Sequence, residues 1–153
     1  MSESPYKTGT THFGFKDVDA KDKQKLVGEV FSSVAGNYDL MNDLMSLGIH
    51  RVWKRYFVGT AQVKRGDRVL DLAGGTGDIA MRYAHASGEN ATAVICDISP
   101  EMLAVGKRRV GDAHLDHRIT CVEGNAEHLP FADASFDAYT IAFGIRNVPR
   151  IDV

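Results

Sequence analysis

Cysteine is scarce in this chain. Two residues, Cys96 and Cys121, are too few for a disulfide framework, and their lone positions match no metal-ligand spacing. Both fall in apolar segments and read as small core residues, which predicts a reducing compartment. Proline is also rare, with four residues, and there is one tryptophan. No apolar run approaches the length of a membrane span. The N-terminus, Met1-Ser2-Glu3-Ser4-Pro5-Tyr6-Lys7, lacks a signal-peptide core. There is no excess of either charge. Eighteen basic against twenty acidic residues give −2, which excludes the basic face that nucleic acid requires. What remains is the composition of a soluble cytoplasmic domain, 44% hydrophobic and 25% charged over 153 residues.

The chemistry is concentrated in Val69-Leu70-Asp71-Leu72-Ala73-Gly74-Gly75-Thr76-Gly77-Asp78. A short apolar strand runs into a loop in which Gly74, Gly75 and Gly77 carry no Cβ to keep a ligand off the backbone. Twenty positions after Gly77, the apolar run Ala91–Cys96 ends in Asp97. An acidic residue at that strand tip is placed to accept two ribose hydroxyls. The pattern predicts an adenosine-type cofactor.

The rest of the chain reads as alternating elements. Residues 1–20 are polar and aperiodic, and are expected to be a mobile tail. Residues 21–60 are expected to form a helical cap. Leu26, Val27, Val30, Phe31 and Val34 recur at helical spacing, as do Tyr38, Met41, Leu44 and Met45, and then Val52, Trp53, Tyr56 and Phe57. Residues 61–153 alternate strand and helix. Strands are predicted at Arg68–Leu72, Thr92–Cys96, Ile119–Val122 and Ala138–Phe143. Helices are predicted at Asp78–Ala86 and from Pro100 to about Val110, the second with Ser99 as N-cap and Pro100 in its first turn. Such alternation means an α/β fold with a parallel sheet of about four strands, of strand order 3-2-1-4-5 when complete. On that order the strand at Ala138–Phe143 should be central. The chain is therefore expected to be a fragment whose exposed strand edge favours aggregation and which is inactive alone.

Gly75-Thr76-Gly77-Asp78-Ile79-Ala80 also fits a dinucleotide pattern, so an NAD-dependent oxidoreductase is one alternative. Charge argues for another cofactor. Asp71 and Asp78 flank the loop, and two carboxylates would repel a pyrophosphate. They suit S-adenosyl-L-methionine, which carries an ammonium and a sulfonium. Asp78 alone could instead serve only the helix dipole. After the third strand, Glu123-Gly124-Asn125-Ala126 offers a polar turn where Asn125 and the Ala126 amide could hold an adenine. A non-catalytic cofactor-binding fragment is the third reading.

This arrangement resembles the Rossmann-like class I S-adenosylmethionine-dependent methyltransferases, with Ala73 where their first motif usually has glycine. Tyr38-Asp39-Leu40-Met41-Asn42-Asp43-Leu44-Met45-Ser46, continuing through His50 to Trp53, further resembles the signature Y-D-x-M-N-x-x-[LIVM]-S-x-x-x-H-x-x-W of the ubiquinone/menaquinone biosynthesis C-methyltransferases. Thr11–Phe15, Leu72–Asp78, Gly124–Glu127 and Phe143–Val148 are similar to further blocks of that family. The resemblance implies methylation of a ring carbon of a polyprenylated quinol, either 2-polyprenyl-6-methoxy-1,4-benzoquinol or demethylmenaquinol. It implies cofactor contacts at Thr76, Asp97, Asn125 and Ala126, beside Asp71, Gly75 and Gly77 from the loop. Family members often carry serine where this chain has Ala142. For the quinol, Arg146, Asn147, Tyr38, Asn42 and His50 are the candidates. Arg146 would lower the quinol pKa or orient a water, and His50 is the better proton acceptor, although a capping or core histidine is an equal reading. No metal is implied. Met41, Met45, Leu47 and Ile49 could line a prenyl path or simply pack. His50, Arg51, Lys54 and Arg55 could meet anionic headgroups of the inner membrane, or form a solvated helix face. A homo-oligomer or a quinone-biosynthesis complex is compatible with the same resemblance.

Overall fold

The structure, a computed structural model, describes residues 10–13, 16–19, 49–88, 90–142 and 144–145. Strands β1 (Thr10–Phe13) and β2 (Lys16–Asp19) form an antiparallel hairpin, with Phe13 opposite Lys16. This corrects the expectation of an aperiodic segment over 1–20. Thr10, Thr11 and Phe13 have strand propensity, and a two-residue Gly-first connection, Gly14-Phe15, is a hairpin signal. The helices expected at Asp22–Val34 and around Tyr38–Met45 lie outside the described residues.

Helix α1 (Ile49–Thr60) leads to β3 (Arg68–Leu72), α2 (Asp78–Ala86), β4 (Thr92–Asp97), α3 (Pro100–Asp112), β5 (Ile119–Glu123) and β6 (Ala138–Thr140). The four strands pair in parallel in the order β5-β4-β3-β6. This is the expected 3-2-1-4 order. Ser99 caps α3, its Oγ accepting from the Met102 amide at 3.2 Å, with Pro100 in the first turn.

Strand β6 stops three residues short of expectation. It pairs with β3 only through Val69–Asp71. Leu72 ends β3, and Ala73 then turns into the left-handed region at φ 50°, so the ladder loses its partner. Phe143 lies outside the described residues.

Alternation along β3 and β4 divides the core in two. Val69, Ala93 and Ile95 meet Val58 of α1, Ile79 and Tyr83 of α2, and Leu103 and Val110 of α3 on one face. Leu70, Leu72, Val94 and Cys96 face Phe131, Phe136 and Ile141 on the other. The connections that walk from β3 to β5 thus carry their helices on one face. The return from β5 to β6 crosses the other. The reversal lies between β3 and β6, and a doubly wound sheet opens its ligand crevice at the carboxyl ends of the strands at such a reversal. The glycine loop emerges there. Cys96 is buried, and Cys121 is half-buried rather than fully enclosed.

Candidate functional site

The loop from Ala73 to Gly77 is bent by three left-handed residues, Ala73 (φ 50°), Gly75 (φ 52°) and Gly77 (φ 78°). The Gly77 amide donates to the Gly74 carbonyl at 2.9 Å, and the Gly74 amide to the Cys96 carbonyl at 3.3 Å. A Cβ on Gly77 would lie 2.5 Å from Ile95 Cδ1, so the loop can rest on β4 only without one. Alanine at position 73 bears a conformational penalty that glycine would not. Ala73→Gly should therefore stabilise the fold by about 0.5–1 kcal/mol, the left-handed strain outweighing the glycine's greater unfolded-state entropy. A urea midpoint that rises with an unchanged slope is the expected result; a lowered midpoint would contradict it.

Asp97 closes the loop from the next strand. Its Oδ2 accepts the Gly75 amide at 2.8 Å, and its Oδ1 accepts the Ser99 amide at 2.9 Å. A carboxylate has about four acceptor positions. The Gly75 and Ser99 amides form the two full bonds and the Ile98 amide adjoins the same group, so acceptor capacity remains for a vicinal diol. Burial raises the Asp97 pKa, against the hydrogen bonds from the Ser99, Gly75 and Ile98 backbone. The Asp97 carbonyl in turn accepts the Gly124 amide at 3.0 Å, which draws the end of β5 to the same place. Gly124 is required there, since a Cβ would sit 2.8 Å from Cys96 Sγ. Beyond it, Asn125 folds its own turn. Its Oδ1 accepts the Glu127 amide at 3.0 Å, and its carbonyl accepts the His128 amide at 2.9 Å. Ala126 is half-buried beside it. The structure thus brings Gly75, Asp97, Asn125 and Ala126 to adjacent strand ends.

Thr76 is buried, and its Oγ1 accepts from Arg109 Nη1 at 3.0 Å. Arg109 belongs to α3, which approaches the loop closely at Gly106. A Cβ there would lie 3.1 Å from the Gly75 carbonyl oxygen.

The two carboxylates flanking the loop behave differently from the sequence expectation. Asp78 is met by Lys54 Nζ of α1 at 2.8 Å, by Arg82 Nε at 3.2 Å and by Arg109 Nη2 at 3.9 Å. Burial alone would raise its pKa, but Lys54 and Arg82 together hold it below the usual carboxylate range. Asp78 therefore offers no uncompensated charge to a ligand and instead joins three helices. Lys54 is 8% exposed, so it does not belong to the solvated or lipid-facing side of α1 suggested for it. The Asp78–Arg82 spacing is legible in sequence; Lys54 and Arg109 are brought in by tertiary packing. Asp78→Asn would leave Lys54 buried without its counter-ion. It should cost about 2 kcal/mol, below the full value for a buried pair because the group keeps some solvent. Chemical denaturation of the variant checks this, and an unchanged free energy would show the cluster to be energetically idle.

Asp71 is 1% exposed. Thr140 Oγ1 donates to its Oδ1 at 3.2 Å, while Oδ2 is enclosed without a partner. Burial pushes its pKa up to about 7; the Thr140 hydroxyl and the Ala80 amide oppose this, and the nearby Asp97 and Asp78 charges add to it.

His50 is half-buried on α1, one turn before Lys54 and so on the same side of the helix. Arg146, Asn147, Tyr38 and Asn42 lie outside the described residues. A cavity of about 340 Å³ opens between α1, α2 and the end of β6. It is lined by Trp53, Tyr56, Phe57, Ile79, Ile141 and Ala142, with Lys54 and Thr60.

The comparisons agree with this geometry. Residues 18–153 match the model of the ubiE/COQ5 methyltransferase family. A ubiquinone/menaquinone biosynthesis C-methyltransferase UbiE from Xanthomonas campestris pv. campestris is 67% identical over 152 residues, covering 99% of this chain and 60% of the relative. The protein of the same name from Xylella fastidiosa is 63% identical over 156 residues, with the same coverages. The chain thus spans about 60% of the length of these curated relatives. Among solved structures, the [4+2]-cyclase SpnF is similar in fold at TM-score 0.61 and 22% identity, over 76% of this chain and 47% of that one. A methyltransferase from Thiobacillus denitrificans, solved with S-adenosyl-L-homocysteine, is 25% identical at TM-score 0.50, over 60% of this chain and 37% of that one. The fold is the Rossmann-like fold of class I methyltransferases, and the chain belongs to the ubiE/COQ5 methyltransferase family.

Proposed function

We propose that this chain forms the S-adenosyl-L-methionine site and part of the acceptor pocket of an enzyme that methylates a ring carbon of a polyprenylated quinol. The acceptor would be 2-polyprenyl-6-methoxy-1,4-benzoquinol, demethylmenaquinol or both. The observation that carries this reading is the 67% identity over nearly the whole chain to a C-methyltransferase of ubiquinone and menaquinone biosynthesis.

The residues present fit such a cofactor. Asp97 keeps acceptor capacity beyond its bonds to the Gly75 and Ser99 amides for a ribose diol. A Cβ on Gly75 would lie 3.0 Å from Met102 Cε and 3.8 Å from Asp97 Oδ2, so glycine leaves that side of the loop open. Asn125 and Ala126 would hold the adenine. When bound, the cofactor supplies a methyl group on a positively charged sulfur. The protein's part is to place the nucleophilic ring carbon in line with it and to assist loss of the quinol proton. We assign Arg146 and Asn147 to orienting the quinol and His50 to accepting the proton, with Tyr38 beside them. The apolar cavity between α1 and β6 is suited to the ring or to the first part of its tail.

Among the described residues no helix is long and apolar enough to cross a membrane. We place the enzyme in the cytoplasm with peripheral contact at the inner membrane, where its lipid-tailed acceptor resides. The exposed Ile49, Val52, Trp53 and Tyr56 of α1 support that contact. It would act as a homo-oligomer or within a quinone-biosynthesis complex.

Transfer of a labelled methyl group from S-adenosylmethionine to chemically reduced demethylmenaquinone or the demethylated benzoquinol tests the proposal. Label should appear on the ring carbon, and NADH should neither bind nor compete. Tight NADH binding without methyl transfer would overturn it.

A further inference from the structure

Two side-chain polar atoms among the described residues are buried with no hydrogen-bond partner, Asp71 Oδ2 and Tyr83 Oη. Both are neighbours of Thr140, whose hydroxyl bonds the other Asp71 oxygen. The three residues come from β3, α2 and β6, directly under the glycine loop. A Cβ built on Gly74 would lie 2.8 Å from Asp71 Oδ2, so the unpartnered oxygen abuts the loop backbone.

The surroundings leave Asp71 without a counter-charge. From β4 it faces Asp97, and from α2 it faces Asp78, both acidic. Tyr83 of α2 and Cys96 of β4 are both held neutral, each with its pKa pushed up mainly by burial. Tyr139 of β6 is exposed. The cations of the neighbourhood, Lys54, Arg82 and Arg109, gather on Asp78. An ionised carboxylate in this place has no counter-charge, only the Thr140 hydroxyl and the Ala80 amide to favour it, and its second oxygen has no partner. Unsatisfied buried polar groups of this kind are costly, and they mark sites that are completed by something else.

We propose that Thr140 and Tyr83 are positioning residues that hold Asp71 as a proton-exchanging counter-ion, so that a cationic cofactor settling on the glycine loop replaces the Asp71 proton, which passes to solvent. This rests on the reading that the loop takes S-adenosylmethionine, and it adds a proton to that binding equilibrium. Thr140 donates to the ionised carboxyl already. Tyr83 adjoins the Thr140 hydroxyl and acts on the carboxyl through it. The carboxyl's rise to about 7 puts the exchange in the physiological range.

Calorimetric titration of the full-length protein with S-adenosylmethionine, in two buffers of different ionisation heat, tests this. At pH 7 roughly half a proton should be released per cofactor bound, and affinity should be roughly tenfold tighter at pH 8 than at pH 6. Thr140→Val should move the midpoint upward, weakening binding at pH 7 while affinity recovers at higher pH, and Thr140→Ser should restore the original profile. A merely structural Thr140 would weaken binding equally at every pH. Carbon-13 NMR of the cofactor-free protein gives an independent readout. One carboxyl, identified by its loss in Asp71→Asn and distinct from that of Asp97, should titrate near neutrality. An Asp71 carboxyl titrating below pH 5, or binding with no proton released, overturns the inference alone. Failure to bind the cofactor at any pH overturns the functional reading along with it.

Discussion

Asp97→Ala should weaken S-adenosylmethionine binding by roughly two orders of magnitude. Two hydrogen bonds from ribose hydroxyls to a charged acceptor contribute about 1.5 kcal/mol each at the low end of their range. The same carboxylate braces the loop by accepting the Gly75 amide and starts α3 by accepting the Ser99 amide. Asparagine is no conservative replacement. Both oxygens face backbone N–H donors, so either orientation of the side-chain amide sets an NH₂ against one of them. A cofactor analogue without ribose hydroxyls separates the two roles. If Asp97 acts through the ribose, the variant and the parent should bind the analogue almost equally. If loop bracing dominates, the variant binds it more weakly as well. Unchanged affinity for the natural cofactor would remove Asp97 from the site.

Asp71 should make the folded state less stable as pH rises from 4 to 7. Its folded pKa is about 7 against an ordinary 3.8. Below pH 4 both folded and unfolded chains hold the proton, and nothing is lost. Between the two values the unfolded chain has released it and the folded chain has not, so unfolding becomes steadily easier. Above 7 the folded chain bears a buried charge, and the full difference, on the order of 4 kcal/mol, has been lost. This is a large share of the stability of a small domain. Asp71→Asn should flatten the profile over that window and give a protein more stable than the parent at pH 8. Asp78 works in the opposite sense, because its pKa is lowered. Its contribution is present above the ordinary carboxylate range and disappears as pH falls through its own lowered value. Guanidinium unfolding at several pH values distinguishes the two residues. A parent stability that rises from pH 4 to 7, with Asp71→Asn no better at pH 8, would contradict the assignment.

Local signals made most of the sheet legible in the sequence. Apolar runs ending at Leu72 and Asp97, a helix start marked by Ser99 and Pro100, and the glycine loop between strand and helix each state their own structure. The order β5-β4-β3-β6 follows from general rules for parallel sheets. Distant packing was not legible. No local pattern says that Lys54, twenty-four positions before Asp78, turns inward to it, or that Arg109 reaches back to Thr76. In sequence Asp71 and Asp78 look alike, because both flank the loop. Burial separates them, leaving one without a counter-charge and giving the other three cations. The hairpin at Thr10–Asp19 is hard to read in sequence because its four-residue strands are too short to show a clear alternation.

The Ala73–Gly144 contact has a bearing on how this family can vary. A methyl group at position 144 would lie 2.5 Å from the Ala73 Cβ, whereas its next neighbours, Ile141 Cγ1 and the Ala73 carbonyl, stand at 3.4 and 3.6 Å. Two positions 71 apart in sequence thus share room for one carbon atom. A side chain at 144 collides with Ala73 while it is present and loses that clash once position 73 has become glycine. The order in which a lineage acquires the two changes decides whether it survives them, and descendants should carry a methyl at one position or the other, never at both.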